Sequence, residues 1–198
     1  HGTDAGPTAP AYILFTSGST SAPKGVVISR GALCAQIDEF TEQWGVDRES
    51  RILNVLPVHH TDGINMGPML ALWSDACVVR PFAFRVDRLP ELMDTVYKER
   101  ISHFIGVPSL MALAVDLLSD QPDVLRSPEF KHFISTAAYL DPTLWTRFQQ
   151  TFGVRVSNCY GLTETVSQIL YCGPDDASHK VGTVGRPRNG QAKVVGPD

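Results

Sequence analysis

Residues 12–29 read YILFTSGSTSAPKGVVIS, in which the hydroxyls of Thr16, Ser17, Ser19 and Thr20 surround Gly18 ahead of Pro23, Lys24 and Gly25. Clustered hydroxyls and glycine-freed backbone amides can cradle phosphate oxygens, and a lysine ammonium neutralises their charge. The loop therefore reads as a polyphosphate site. A P-loop would pass straight from its lysine into a helix whose N-terminus faces the anion. Here Lys24 and Gly25 lead into Val26-Val27-Ile28, a β-branched run suited to a strand, so the loop is expected to close a hairpin. Ser/Gly-rich loops in general are solvated turns, but the ordered string T-S-G-S-T-x-x-P-K-G is a rarer pattern.

A second cluster, LPVHHTDG over residues 56–63, holds His59, His60 and Asp62. Two histidines and an aspartate could ligate a metal, but H-x-H-x-D-H sites need more ligands than this stretch supplies. No second histidine cluster is evident among His103, His132 and His179.

These loops need a frame, and the intervening sequence supplies one. Ser29 can cap a helix running to about Trp44, with Leu33, Ile37 and Phe40 at helical spacing and Gly45 as the stop. Residues 51–57 carry a buried-strand run, 62–73 read as helix and 76–79 as strand. Asp87 is expected to cap a helix to Arg100, His103-Phe104-Ile105 to be a strand, and Pro108 to open a helix through Leu118. A strand at 131–135, a helix starting at Asp141-Pro142 and a strand at 154–156 follow. Short apolar strands alternating with helices predict an α/β fold with a mostly parallel sheet covered by helices on both faces, whose ligands bind beyond the carboxyl ends of the strands. After Tyr160 the pattern becomes Gly- and Pro-rich with short strands, which predicts the start of a small β subdomain near Val181. The expected division is thus 1–180 as α/β core and 181–198 as subdomain.

Composition narrows the partners. The 198 residues are 43% apolar, enough for a sizeable core, with a formal charge of -4 and no basic run, which argues against a nucleic-acid surface. There is no membrane-length apolar run and no signal-peptide pattern, so a cytoplasmic setting is expected. Cys34, Cys77, Cys159 and Cys172 have no C-x-x-C spacing and are expected to be reduced.

Thr16 to Gly25 resembles the phosphate-loop signature T-S-G-S-T-G-x-P-K-G of the adenylate-forming (AMP-binding) superfamily, which includes acyl- and aryl-CoA synthetases, peptide-synthetase adenylation domains and firefly luciferase. Ser21 stands where that signature has glycine. Asn158-Cys159-Tyr160-Gly161-Leu162-Thr163-Glu164-Thr165 is similar to the superfamily's N-x-Y-G-x-T-E motif, and Gly182-Thr183-Val184-Gly185-Arg186-Pro187 to its G-S-V-G-R-P motif. Three ordered motifs over positions 16 to 187 make chance agreement improbable.

The resemblance implies attack of a carboxylate oxygen on the α-phosphate of ATP, giving an acyl-adenylate and pyrophosphate, then thioester formation on CoA or a carrier protein's phosphopantetheine. It assigns Thr16, Ser17, Gly18, Ser19, Thr20 and Lys24 to the β- and γ-phosphates. Tyr160 is assigned to the adenine, with Asn158 and Gly161 beside the nucleotide. Thr163 would bond a phosphate and Glu164 would hold Mg²⁺, a hard cation suited to a carboxylate and substrate phosphates. Within the resembling L-P-x-x-H-x-x-G segment, His60 is the position that orients the acyl carboxylate, while His59 is structural. Ser135 to Leu140 matches S-G-G-A-P-L in order, placing Ala137 and Ala138 at the acyl-adenylate, and Thr136 and Ala137 add volume where glycine is usual. Amino-acid-activating relatives use an F-D-x-S segment, a context Asp62 lacks, which favours a plain carboxylic acid. The resemblance further implies the central fragment of a large N-terminal domain, without the ribose-binding aspartate or the small domain carrying a second catalytic lysine. An inactive nucleotide-binding or scaffolding fragment, or an adenylation domain for an amino acid, stays open as an alternative.

Overall fold

Two sheets organise the chain in the computed structural model, which describes residues 6–16 and 23–196. Strands β1 (Pro10–Thr16) and β2 (Lys24–Ser29) form an antiparallel hairpin whose last pair is Thr16 and Lys24. The hairpin expected around the hydroxyl-rich loop is thus present. Helix α1 (Arg30–Trp44) follows directly: Ser29 accepts a hydrogen bond from Ala32 N at 3.3 Å, and Gly45 ends the helix in the left-handed region at φ 60°.

The main sheet comprises β3 (Arg51–Asn54), β4 (Cys77–Val79), β5 (His103–Gly106), β6 (His132–Ser135), β7 (Val156–Gly161) and β8 (Gln168–Cys172), in the spatial order β4-β3-β5-β6-β7-β8. Every pairing is parallel except the last, β7 with β8. Successive side chains go to opposite faces. Leu53, Phe104, Phe133 and Val156 pack on one side with α4 (Leu89–Lys98), α5 (Pro108–Leu118) and α6 (Pro142–Phe152). Ile52, Ile105, Ile134 and Cys159 pack on the other with α1 and the helical segment over 61–73. This is the expected mostly parallel α/β sheet with helices on both faces.

Three local expectations change. Asp87 does not cap a helix, because the Arg85 guanidinium holds its carboxylate in two hydrogen bonds of 3.0 and 2.9 Å. A 3₁₀ turn over Val86–Arg88 intervenes, and α4 begins at Leu89 with a proline in its first turn and ends at Lys98. The segment over 61–73 is broken into α2 (Thr61–Ile64), a π turn over Asn65–Met69 and α3 (Leu70–Trp73). Pro68 sits inside the wide turn, whose looser ladder tolerates the missing N–H. The strand expected at 154–156 instead starts at Val156 and runs to Gly161, because β8 pairs with its far end.

Among the described residues no helix is long and apolar enough to cross a membrane. All four cysteines are free. Beyond β8 the described chain continues without a further strand, tied back by a bridge between Tyr171 and Arg186.

Candidate active site

A cavity of about 830 Å³ opens at the carboxyl ends of β6 and β7, and the loop end of the hairpin reaches its wall. Thr16 and Lys24, facing each other across the last hairpin pair, contribute from β1 and β2. Ser17, Gly18, Ser19 and Thr20 lie outside the described residues.

Strand β7 contributes Asn158, Tyr160 and Gly161. Asn158 is buried and donates through Nδ2 to Thr183 O at 3.2 Å, which joins the second and third motifs. Among the described residues its Oδ1 has no partner, and a buried acceptor left unmade costs stability. Tyr160 is 44% exposed, so its ring face belongs to the cavity wall and not to the core. After Gly161 the chain makes a 3₁₀ turn over Thr163–Thr165, stapled by Leu162 N donating to Thr165 Oγ1 at 2.9 Å and by Thr165 Oγ1 donating to Ser167 O at 2.8 Å. Thr163 and Glu164 are thereby held at the cavity, and among the described residues no group donates to the Glu164 carboxylate. Gly161 allows this turn to close: a Cβ there would lie 1.8 Å from Ser167 O.

His60 enters from the loop after β3. Gly63 packs so closely beneath that loop that a Cβ would fall 2.0 Å from Pro57 O, which is the physical reason for glycine three residues after the histidine. His60 Nδ1 lies 3.5 Å from Asp62 Oδ2, and Asp62 is 2% exposed. The carboxylate raises the imidazole pKa above its ordinary value, outweighing the opposing effect of partial burial. Asp62 Oδ1 accepts from Gln168 Nε2 and, at 3.5 Å, from Ser167 Oγ, while Gln168 Nε2 also donates to Thr136 Oγ1 at 2.7 Å. His59 does not line the cavity.

Ala137 and Ala138 close the wall after β6. Ala137 sits at φ 70°, with Ala138 N donating back to Thr136 O at 3.0 Å. This left-handed turn is one that glycine adopts without strain and alanine does not. Thr136 is buried and committed to Gln168 and does not itself line the cavity.

The cavity thus gathers Thr16, Lys24, His60, Ala137, Ala138, Asn158, Tyr160, Gly161, Thr163 and Glu164 from four separate stretches of sequence. Sequence reasoning missed the polar floor of Asp62, Thr136, Ser167 and Gln168. Asp62 was visible two residues after His60, but Ser167 and Gln168 carry no motif, and their position depends on the antiparallel return of β8.

A family profile described as AMP-binding enzyme matches residues 2–198. The chain is 31% identical over 194 residues to an indoleacetate–CoA ligase of Aromatoleum aromaticum, covering 98% of this chain and 37% of that protein. It is 26% identical over 192 residues to a sulfoacetate–CoA ligase of Cupriavidus necator, covering 97% and 36% respectively. Among solved structures, a malonyl-CoA ligase ternary product complex with methylmalonyl-CoA and AMP bound matches with a TM-score of 0.80 at 26% identity, over 93% of this chain and 39% of that one. The chain spans little more than a third of the length of these relatives.

Proposed function

The chain belongs to the AMP-binding enzyme family, and from that premise we propose that the protein couples ATP to the activation of a carboxylic acid and then to thioester formation. In the first step a carboxylate oxygen attacks the α-phosphorus of ATP. The bond from that phosphorus to the bridging oxygen breaks, and pyrophosphate leaves with the electron pair. In the second, a thiolate attacks the acyl carbon and AMP departs. The CoA-ligase names of the relatives support CoA as the thiol donor over a carrier protein.

The observation that carries this reading is that Lys24, His60 and the pair Tyr160 and Glu164, from three distant stretches of sequence, border one cavity. Chemistry of this kind rests on positioning and on stabilising charge where it develops. Lys24 neutralises the terminal phosphates, together with the Thr16 hydroxyl. Tyr160 offers a ring face to the adenine, and Asn158 lies beside the nucleotide. Thr163 donates to a phosphate oxygen. Ala137 and Ala138 border the adenylate, and His60 receives the acid.

The donor set suits Mg²⁺: Glu164 is an exposed carboxylate without a protein partner among the described residues, and the Thr163 and Thr16 hydroxyls also border the cavity. Glu164 would hold the ion. Bound there, Mg²⁺ would offset the negative charge of the triphosphate. The free thiols and the use of ATP and CoA support a reducing, cytoplasmic setting.

Titration calorimetry with Mg·ATP, followed by acid-dependent pyrophosphate exchange with a panel of monocarboxylic and dicarboxylic acids that includes indoleacetate and sulfoacetate, tests the proposal. Nucleotide binding with exchange driven by one class of acid is expected. Absence of both would overturn it.

A further inference from the structure

We propose that Asp62 is a positioning residue for His60, holding the imidazole with Nδ1–H toward the buried carboxylate and Nε2 toward the carboxylate of the acid. The inference rests on the acid-activating reading of the cavity given above and names the device by which the site recognises its acid.

Burial is the first argument. A carboxylate that is 2% exposed needs a countercharge, since desolvating an uncompensated ion costs several kcal/mol. Two of the partners of Asp62, Gln168 and Ser167, are neutral and use only Oδ1. An asparagine would serve them equally well through its own oxygen. The second oxygen faces His60, the group within ion-pair distance of it. The charge at position 62 is therefore explained by the imidazole and not by the hydrogen bonds that hold the floor together.

Geometry is the second. The 3.5 Å separation is at the outer limit of a hydrogen bond, as in pairs that tighten only around substrate. Asp62 is clamped from β8 and through Gln168 to Thr136, whereas the His60 side chain is 53% exposed, so the carboxylate is the fixed member and the imidazole the adjustable one. With Nδ1 committed to Asp62, Nε2 is the nitrogen left for the cavity.

The consequence is a pH-gated receptor. When Nδ1 carries its proton toward Asp62, Nε2 can donate to an acid only as imidazolium. That form is favoured by Asp62 and lost as pH rises through the elevated His60 pKa. The other titratable groups bordering the cavity are Lys24 from β2, Tyr139 after β6, Cys159 and Tyr160 from β7, and Glu164 from the turn. Burial, with the Asp62 charge second, pushes the Cys159 thiol upward and keeps it neutral.

Asp62→Asn separates the roles. Its oxygen still serves Gln168 and Ser167, but its amide donates to Nδ1, which disfavours the imidazolium and leaves a neutral imidazole with Nε2–H toward the acid at neutral pH and above. In the protein assayed by pyrophosphate exchange, KM for the acid is expected to rise about tenfold near neutral pH, the loss for exchanging a charged for a neutral hydrogen bond, with KM for ATP unchanged. The increase of KM with pH expected of the unaltered protein should be absent at neutral pH and above in the variant, and Asp62→Asn should add nothing to His60→Ala. A variant that keeps both KM and its pH dependence, or that is additive with His60→Ala, overturns the proposal. An NMR titration of the His60 ring, assigned with His60→Ala, gives a readout independent of turnover and of the folding of the Asp62 variant. A ring pKa above 6.5 in the unaltered protein supports the pair, and one at or below 6.5 refutes it. If no acid drives exchange, the acid-activation reading fails while the ring titration still decides the Asp62–His60 relationship.

Discussion

Tyr12 and Asn65, 53 positions apart in sequence, are joined by a hydrogen bond of 2.7 Å from the phenol to the amide oxygen. Asn65 is fully buried in the π turn and donates onward through Nδ2 to Val166 O at 3.2 Å. One amide thus ties the hairpin to the turn that carries Thr163 and Glu164. Val166 itself is a β-branched residue held at φ 70°, an unfavourable conformation that the Asn65 contact helps to retain. Tyr12→Phe leaves the Asn65 oxygen buried and unmade, and should cost about 1–3 kcal/mol in urea unfolding. A change within a few tenths of a kcal/mol would show that the link carries no stability.

Lys24→Ala removes the cation that the hairpin brings to the cavity. Affinity for Mg·ATP measured by calorimetry should fall roughly 10- to 100-fold, the range for hydrogen bonds to charged groups. AMP, which lacks the β- and γ-phosphates, should bind the variant as it binds the unaltered protein. Equal losses for both nucleotides would count against the phosphate assignment.

Gly161→Ala drives a methyl group to 1.8 Å from Ser167 O, a backbone atom that cannot rotate away. The turn over Thr163–Thr165 must shift, at a cost of about 1–3 kcal/mol or more. Chemical denaturation should register the loss, and nucleotide affinity should fall with it because Thr163 and Glu164 move. A variant with unchanged stability would contradict the close packing described.

Ala137→Gly relieves a left-handed residue of a Cβ that costs about 1–2 kcal/mol there, against roughly 0.5–1 kcal/mol of added unfolded-state entropy. A net stabilisation of up to about 1 kcal/mol is expected by thermal unfolding at matched pH. Destabilisation would mean that the methyl group makes contacts worth more than the strain.

His103 and His132 lie on neighbouring strands with ring centroids 5.2 Å apart and tilted by 49°, and burial lowers both pKa values, that of His132 to about 4 from the ordinary 6.5. The unfolded chain therefore binds protons that the native state refuses, so stability falls as pH drops from about 6.5 toward 4 and levels off below. Urea midpoints across that window should decline, and His132→Leu should flatten the slope. A midpoint independent of pH would refute the assignment.

The parts of the fold that could be read in advance are those governed by neighbours in sequence. Ser29 and Gly45 bracket α1, and Asp141 accepts from Thr143 N at 2.8 Å and Leu144 N at 3.1 Å to start α6, as a cap and a proline in the first turn predict. Asp87 failed for a local reason of another kind: Arg85 competes for the same carboxylate, and residue type alone does not say which partner wins. Strand β8 carries an apolar run, Ile169-Leu170-Tyr171-Cys172, but nothing local says that it returns antiparallel to β7 or that the polar Ser167 and Gln168 at its start are buried by that pairing.

Local chemistry in the chain was enough to establish a hairpin at Lys24 in place of a P-loop helix, a sheet of alternating strands and helices, and the order of the three motifs. Short-range sterics and side-chain periodicity act within a few residues, and those are written in the sequence. Which side chains share a cavity was decided only by folding: β8 returns antiparallel to β7, carries Gln168 beneath Asp62, and so turns a buried carboxylate toward His60. That pairing depends on contacts between residues more than a hundred positions apart, and no rule of local spacing encodes it.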